Sequence, residues 1–238
     1  MKHSKTLLSI ARLAVPLLAV ALPGWCGSTV ASYSGNIGFV NTPPSSLVPG
    51  AVENNLKALL FIEDTDLVFA SAITVDATTP GLYKTKTSLT PGSIAAGTRV
   101  SSTYLHADPV TSGTTFSGSI TFTNDILGVV ALAADLSKSD TFLGVSGTNY
   151  GTSVTRGFEV NPLQDYFSIS SDLRTLNFTA KTWGYTDDLR IITAGTITGT
   201  TGAQPAPGTV PEPGTLALIG LGLSAVAVSA HRRRQSTR

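Results

Sequence analysis

Between residues 36 and 193, apolar and polar side chains alternate in short runs separated by Gly, Pro, Asn and Asp. In the run 115–123, Phe116, Ile120 and Phe122 fall on even positions, and Ser117, Ser119 and Thr121 on odd ones. Leu176, Phe178 and Ala180 alternate in the same way with Thr175, Asn177, Thr179 and Lys181. A period of two marks a strand with one face buried. On this pattern strands are predicted at 36–40, 56–63, 67–75, 98–105, 115–123, 127–134, 153–160, 166–169, 175–183 and 188–193. In LGVVALAADLSK (127–138) periodicity does not separate strand from helix. The reading taken is strand to about Ala133, then a loop or short helix through Ser139. Residues 78–97, with Pro80-Gly81 and Pro91-Gly92, read as the longest internal loop, and 144–151 as a second, glycine-rich one. Many short strands with turn signals between them predict an all-β fold, an antiparallel β-sandwich or jelly-roll-like domain over 32–193.

The two ends follow a different pattern. Residues 1–31 have a basic start (Lys2, Lys5, Arg12) and an apolar core at 13–22 that is short for a membrane span, and are read as a signal peptide with a signal helix. Cleavage is expected after Ala31, with the bond after Ser28 as the alternative. The single cysteine, Cys26, leaves with this segment, so the mature chain is expected to have no thiol. Residues 194–209 are uncharged and poor in large apolar side chains, and read as a flexible stalk. From Thr215 to Ala230 no residue is charged, followed by Arg232, Arg233 and Arg234. At ~1.5 Å rise per residue this apolar run makes a helix of about 24 Å, near the length of a transmembrane helix. The arginines mark its cytoplasmic end.

Charge separates the same regions. All 15 carboxylates lie in 32–213, against nine Lys and Arg, while the segments on either side carry only basic groups. An acidic domain lies between two basic membrane-facing ends. Its net negative charge argues against nucleic acid as a partner, because phosphate backbones need a basic surface.

Val210, Pro211, Glu212 and Pro213, the apolar run and the arginine cluster, in that order at the C-terminus, resemble a PEP-CTERM sorting domain (210–238), the tail recognised by exosortases in Gram-negative bacteria. The resemblance implies export through signal peptidase and the secretion machinery, transient anchoring in the inner membrane, processing near Pro211–Pro213, and release to the cell surface or extracellular space. Glu53-Asn-Asn, Leu89-Thr-Pro-Gly92, Leu105-His-Ala-Asp108-Pro109, Ser117-Gly-Ser-Ile-Thr-Phe122, Arg156-Gly-Phe-Glu159 and Asp188-Leu-Arg-Ile-Ile-Thr193 are similar to a recurrent ectodomain of PEP-CTERM proteins. That similarity implies surface attachment and no particular reaction.

Candidate chemistry is sparse. His106 lies two residues before Asp108, as a base and its orienting acid would on one strand face, but there is no G-x-S-x-G elbow to supply a nucleophile. No catalytic residue is assigned; the simpler reading is a histidine at a strand end beside an Asp-Pro turn. Glu63, Asp64 and Asp66 crowd one turn, and Asp187 and Asp188 stand together at a strand start. Their oxygens would suit Ca²⁺, although carboxylates in turns more often bond nearby amides. No other cofactor is expected. Arg156 and Glu159 fall on opposite faces of a strand, as ladder or rim residues rather than partners. Trp183 and Tyr185 share a face if their strand continues, where they would form a flat platform for a glycan; the alternative is a tryptophan capping the core. The reading is a non-enzymatic, exosortase-sorted surface or matrix protein, structural or adhesive and associated with exopolysaccharide. A glycan-binding module and a glycan-active hydrolase are the alternatives.

Overall fold

The computed structural model describes residues 29–195. The signal helix, the sorting motif, the membrane span, the arginine cluster and nearly all of the stalk lie outside the described residues. Among the described residues, no helix is long and apolar enough to cross a membrane.

In chain order the described elements are β1 (Val30–Gly35), β2 (Ile37–Phe39), β3 (Ala58–Val68), β4 (Ile73–Val75), β5 (Gly81–Tyr83), β6 (Gly92–Ile94), β7 (Arg99–Ala107), β8 (Thr115–Phe122), β9 (Ile126–Val130), α1 (Ala133–Leu143), β10 (Tyr166–Ile169), β11 (Thr175–Lys181) and β12 (Asp187–Ala194). One five-stranded sheet has the order β1-β8-β11-β10-β5 and the other β2-β3-β7-β12-β9, with β4 and β6 forming a small ribbon. The fold is mostly β, as the alternation predicts, but the second sheet is mixed rather than wholly antiparallel. Strands β2 and β3 run parallel, Ile37 opposite Ala58 and Phe39 opposite Leu60. Parallel neighbours need a crossover connection, here residues 40–57.

Both large sheets feed one apolar layer. Phe116, Ile120, Phe122, Leu176, Phe178 and Phe167 from the first sheet pack with Leu60, Leu105, Leu189 and Ile191 from the second. The chain passes from one sheet to the other at Gly35, whose φ of +88° suits glycine. Asn36 braces that corner: its Nδ2 donates to Leu56 O at 3.2 Å and its Oδ1 accepts from Ser117 N at 3.4 Å.

A third layer covers the outer face of the second sheet. There Phe61, Tyr104 and Ile192 pack with Ile73, Val75 and Ile94 of the ribbon and with Leu136 and Leu143 of α1. The ambiguous 127–138 run divides accordingly. Strand β9 stops at Val130, and α1 starts at Ala133 and runs to Leu143, longer than the short helix expected. Asp76 explains the break, because its Oδ2 accepts from Ala131 N at 2.7 Å and Leu132 N at 2.9 Å, satisfying the amides where the strand ends. Leu136, Ser139 and Leu143 form the buried helix face.

Other departures have local causes. The predicted strand 67–75 is two strands, because β3 ends at Val68 and β4 belongs to the ribbon. Residues 78–97, expected as loop, contain β5, β6 and a 3₁₀ turn. No strand forms at 153–160, where Gly157 (φ +96°) and Val160 (φ +50°) take left-handed conformations that a strand cannot use. Strand β1 begins at Val30, inside the segment assigned to the signal peptide.

Candidate functional site

Strands β7 and β12 pair with His106 opposite Asp188 and Tyr104 opposite Arg190. Side chains alternate across a strand, so Ser102, Tyr104, His106, Asp188 and Arg190 all point under α1, where Glu63 of β3 joins them. Arg190 Nε and Nη2 donate to Glu63 Oε2 and Oε1, each at 2.7 Å, a two-pronged pair. Arg190 Nη2 also donates to Asp140 Oδ1 of α1 at 2.9 Å, and its Nη1 to Ser139 Oγ. Ser102 Oγ (2.5 Å) and Tyr150 OH (2.6 Å) donate to the Glu63 carboxylate as well.

Arg156 extends the network. It donates to Asp140 Oδ2 at 2.6 Å and Oδ1 at 3.1 Å, and to Tyr104 OH at 2.7 Å. Tyr104 in turn donates to Asp188 Oδ2 at 2.8 Å, and His106 Nδ1 lies 2.7 Å from Asp188 Oδ1. Arg156 Nε is 3.4 Å from Asp188 Oδ2, an ion-pair distance without hydrogen-bond alignment. Arg156 and Arg190 are 2% and 0% exposed, so Arg156 is no rim or ladder residue.

His106 is buried against two carboxylates. Burial opposes its charge, but Asp188 and then Asp108, whose Oδ2 lies 3.9 Å from Nε2, outweigh it and raise its pKa to about 9. At neutral pH the imidazole keeps its proton and offers no lone pair to a nucleophile. Asp108 itself accepts from Gly50 N at 3.0 Å and Val52 N at 3.4 Å, and so ties the 40–57 crossover to the end of β7.

The expected acidic groups do not act as units. Glu63 goes to Arg190, while Asp64 is exposed, with Oδ1 accepting from Thr65 N at 2.7 Å. Asp66 has φ +60° in the same irregular stretch of β3, and its amide donates to Ser101 Oγ at 3.2 Å. Asp187 and Asp188 separate to opposite faces of β12. Asp188 serves the network under α1, and Asp187 turns toward the other sheet. There it meets Glu159 and Asp165: one carboxylate oxygen from each of the three lies within 4.8 Å of the others.

Asp165 is 0% and Asp187 2% exposed, while Glu159 is half-buried. Asp165 Oδ1 accepts from Lys181 N at 2.7 Å and its Oδ2 from Glu159 N at 3.2 Å, joining the 157–165 loop to the end of β11. Asp187 Oδ2 is buried without a hydrogen-bond partner. Burial first, then Asp165, Glu159 and Asp188, pushes Asp187 far above the ordinary carboxylate range. Burial and Glu159 raise Asp165 too, against the pull of the two backbone amides. Arg156 and Glu159 thus belong to different clusters, and as expected they are not partners.

Trp183 and Tyr185 are 54% and 52% exposed in the turn between β11 and β12. They do not extend a strand face, because β11 ends at Lys181 and Gly184 has φ +90°. Trp183 does not cap the core; Lys181 Nζ sits 4.8 Å from its ring centroid. Sequence reasoning missed Asp140, Asp165, Arg190 and Tyr104. The available signal was that Tyr104 and His106 of β7, and Asp188 and Arg190 of β12, alternate with the apolar Leu105, Leu189 and Ile191, which implies a second covered face.

The described residues form a mostly β domain with buried ion pairs, and the sequence beyond them carries a C-terminal motif, an apolar run and arginines. Residues 209–234 match the family model of the PEP-CTERM protein-sorting motif. That motif implies an exosortase-targeted protein, exported and processed at the membrane for the cell surface. Neither the curated proteins nor the solved structures yield a match.

Proposed function

We propose that the β domain is a structural, adhesive component of the extracellular matrix, delivered there by its sorting tail and associated with exopolysaccharide. The observation that carries the reading is the burial of its strongest polar chemistry. Arg190, Asp188 and His106 are 0–1% exposed and spent on holding three layers together, as suits a durable scaffold. Strand β1 supports assembly between copies, being an edge strand without a charged residue, with Tyr33 47% exposed. In a producing strain, deleting this protein is expected to weaken matrix cohesion, and the full-length protein to restore it. Unchanged cohesion on deletion would remove the proposal.

A specific observation favours a second reading, glycan binding. Trp183 and Tyr185 stand exposed on a tight turn, and aromatic faces of that kind stack on sugar rings. A glycan array is expected to show binding lost in Trp183→Ala; an array with no binding by the native protein would leave the scaffold reading alone.

A further inference from the structure

We propose that Glu159, Asp165 and Asp187 form a binding site for a divalent cation of the calcium class. Acidic groups often cluster at protein surfaces, where water screens them, but two of these three are 0% and 2% exposed. Asp187 Oδ2 is buried with no hydrogen-bond partner, and an oxygen of the same side chain lies within 4.8 Å of oxygens from the other two. Among the described residues, no Lys or Arg pairs with them: the ion pairs of Arg156, Arg174, Arg190 and Lys138 go elsewhere, and Lys181 Nζ lies over Trp183. The arginines that compensate Glu63, Asp140 and Asp188 are all on the other face of the second sheet. Burying a carboxylate without compensation costs several kcal/mol per ion (order of magnitude), so the ion-free cluster holds protons that a bound cation would displace.

The donor chemistry selects the ion. All three donors are carboxylate oxygens, which suit a hard cation, and no nitrogen or sulfur donor is in the group. The amide bonds to Asp165 leave each of its oxygens a second lone pair. Half-buried Glu159 gives the site a solvent side, from which waters would complete the six to eight oxygens (roughly) that calcium takes. The fold also fixes two of the ligands on either side of one turn. Asp165 is tied to Lys181 N just before 182–186, and Asp187 follows immediately after. A bound ion would clamp the base of the turn that carries Trp183 and Tyr185.

The test uses the purified exported protein, stripped with EDTA and melted while CaCl₂ is titrated at neutral pH. Extracellular calcium modules bind with dissociation constants of about 10⁻⁴–10⁻³ M. The expected result is a rise in melting temperature of roughly 5–10 °C at a calcium concentration about a hundredfold above Kd. That response should vanish in Asp187→Asn while persisting in Asp64→Asn, whose carboxylate lies elsewhere. In EDTA the Asp187→Asn protein should melt close to the native temperature, since without an ion the buried carboxyl it replaces is held in its neutral form. If Asp187→Asn does not fold, half-buried Glu159→Gln takes its place, with the calcium response expected to weaken. A native protein unmoved by Ca²⁺, Mg²⁺ or Mn²⁺, or a calcium response undiminished in both cluster variants, would overturn the site.

Discussion

Arg190 shows how one side chain can connect three layers. It rises from β12, grips Glu63 of β3 with two bonds, reaches Asp140 and Ser139 of α1, and lies 5.0 Å from the Tyr104 ring centroid. Such a pair adds little net stability compared with an apolar substitute for all its members, but breaking it by removing one partner is costly. Arg190→Met is therefore expected to destabilise the protein by about 3–5 kcal/mol, read as a lower urea midpoint, because Glu63 and Asp140 stay buried without their cation. Trp183→Ala, at an exposed turn, should change stability by only about 0.5 kcal/mol or less. His106 predicts a pH effect. Asp188 and Asp108 face it, with Tyr104 and Arg156 sharing Asp188, and its folded pKa lies above the ordinary 6.5, at about 9. Its contribution is complete below about 6.5 and is lost as pH rises through about 9. In His106→Gln, the fall in stability over that interval should flatten. A denaturation series from pH 6 to pH 10 on both proteins checks this. At this scale the sequence was partly legible. His106, Asp188 and Glu63 stood out as candidates, but His106 was matched to Asp108, its neighbour in the chain. Its actual hydrogen-bonded partner is 82 residues away, and no local pattern specifies that pairing.

Among the elements, strands with clean alternation could be read closely. Strand β10 spans the predicted residues, and β8 and β11 differ from prediction only at their ends, because a half-buried strand records its buried face in every second residue. Strands β5 and β6 have only three residues each and could not carry such a record. The segment 153–160 misled because its composition resembles a strand, while its two left-handed residues are a tertiary arrangement. Strand β1 carries a prediction about processing. Thr29 and Val30 are 1% and 9% exposed, Thr29 O accepts from Thr123 N at 2.9 Å, and Val30 pairs with Phe122. Of the two expected cleavage bonds, the one after Ser28 leaves this strand whole. N-terminal sequencing of the exported protein should give a first residue at or before Thr29. A form starting at Ser32 should be less stable by about 2–3 kcal/mol, from the lost Val30 burial and the amide left at Thr123.

For the molecule as a whole, destination and architecture come from different parts of the chain. The sorting motif at 209–234 implies an exosortase as the processing partner. Mass spectrometry of surface material should therefore find peptides from 29–195 and none containing Arg232–Arg234; an intact tail on surface protein would contradict processing. That address could be read from the sequence alone, since a sorting enzyme and a membrane respond to a contiguous string of residues in extended or simply helical form. The mostly β character was equally legible, because alternation is a local consequence of burying one side of a strand. Only the tertiary structure decided which charges meet. It parted Asp187 from Asp188, sent Glu63 to Arg190 across 127 positions, and gathered Glu159, Asp165 and Asp187 into one cluster. The physical reason is that a buried charge is governed by what lies within a few ångströms, and in a sheet built from distant strands those neighbours come from elsewhere in the chain.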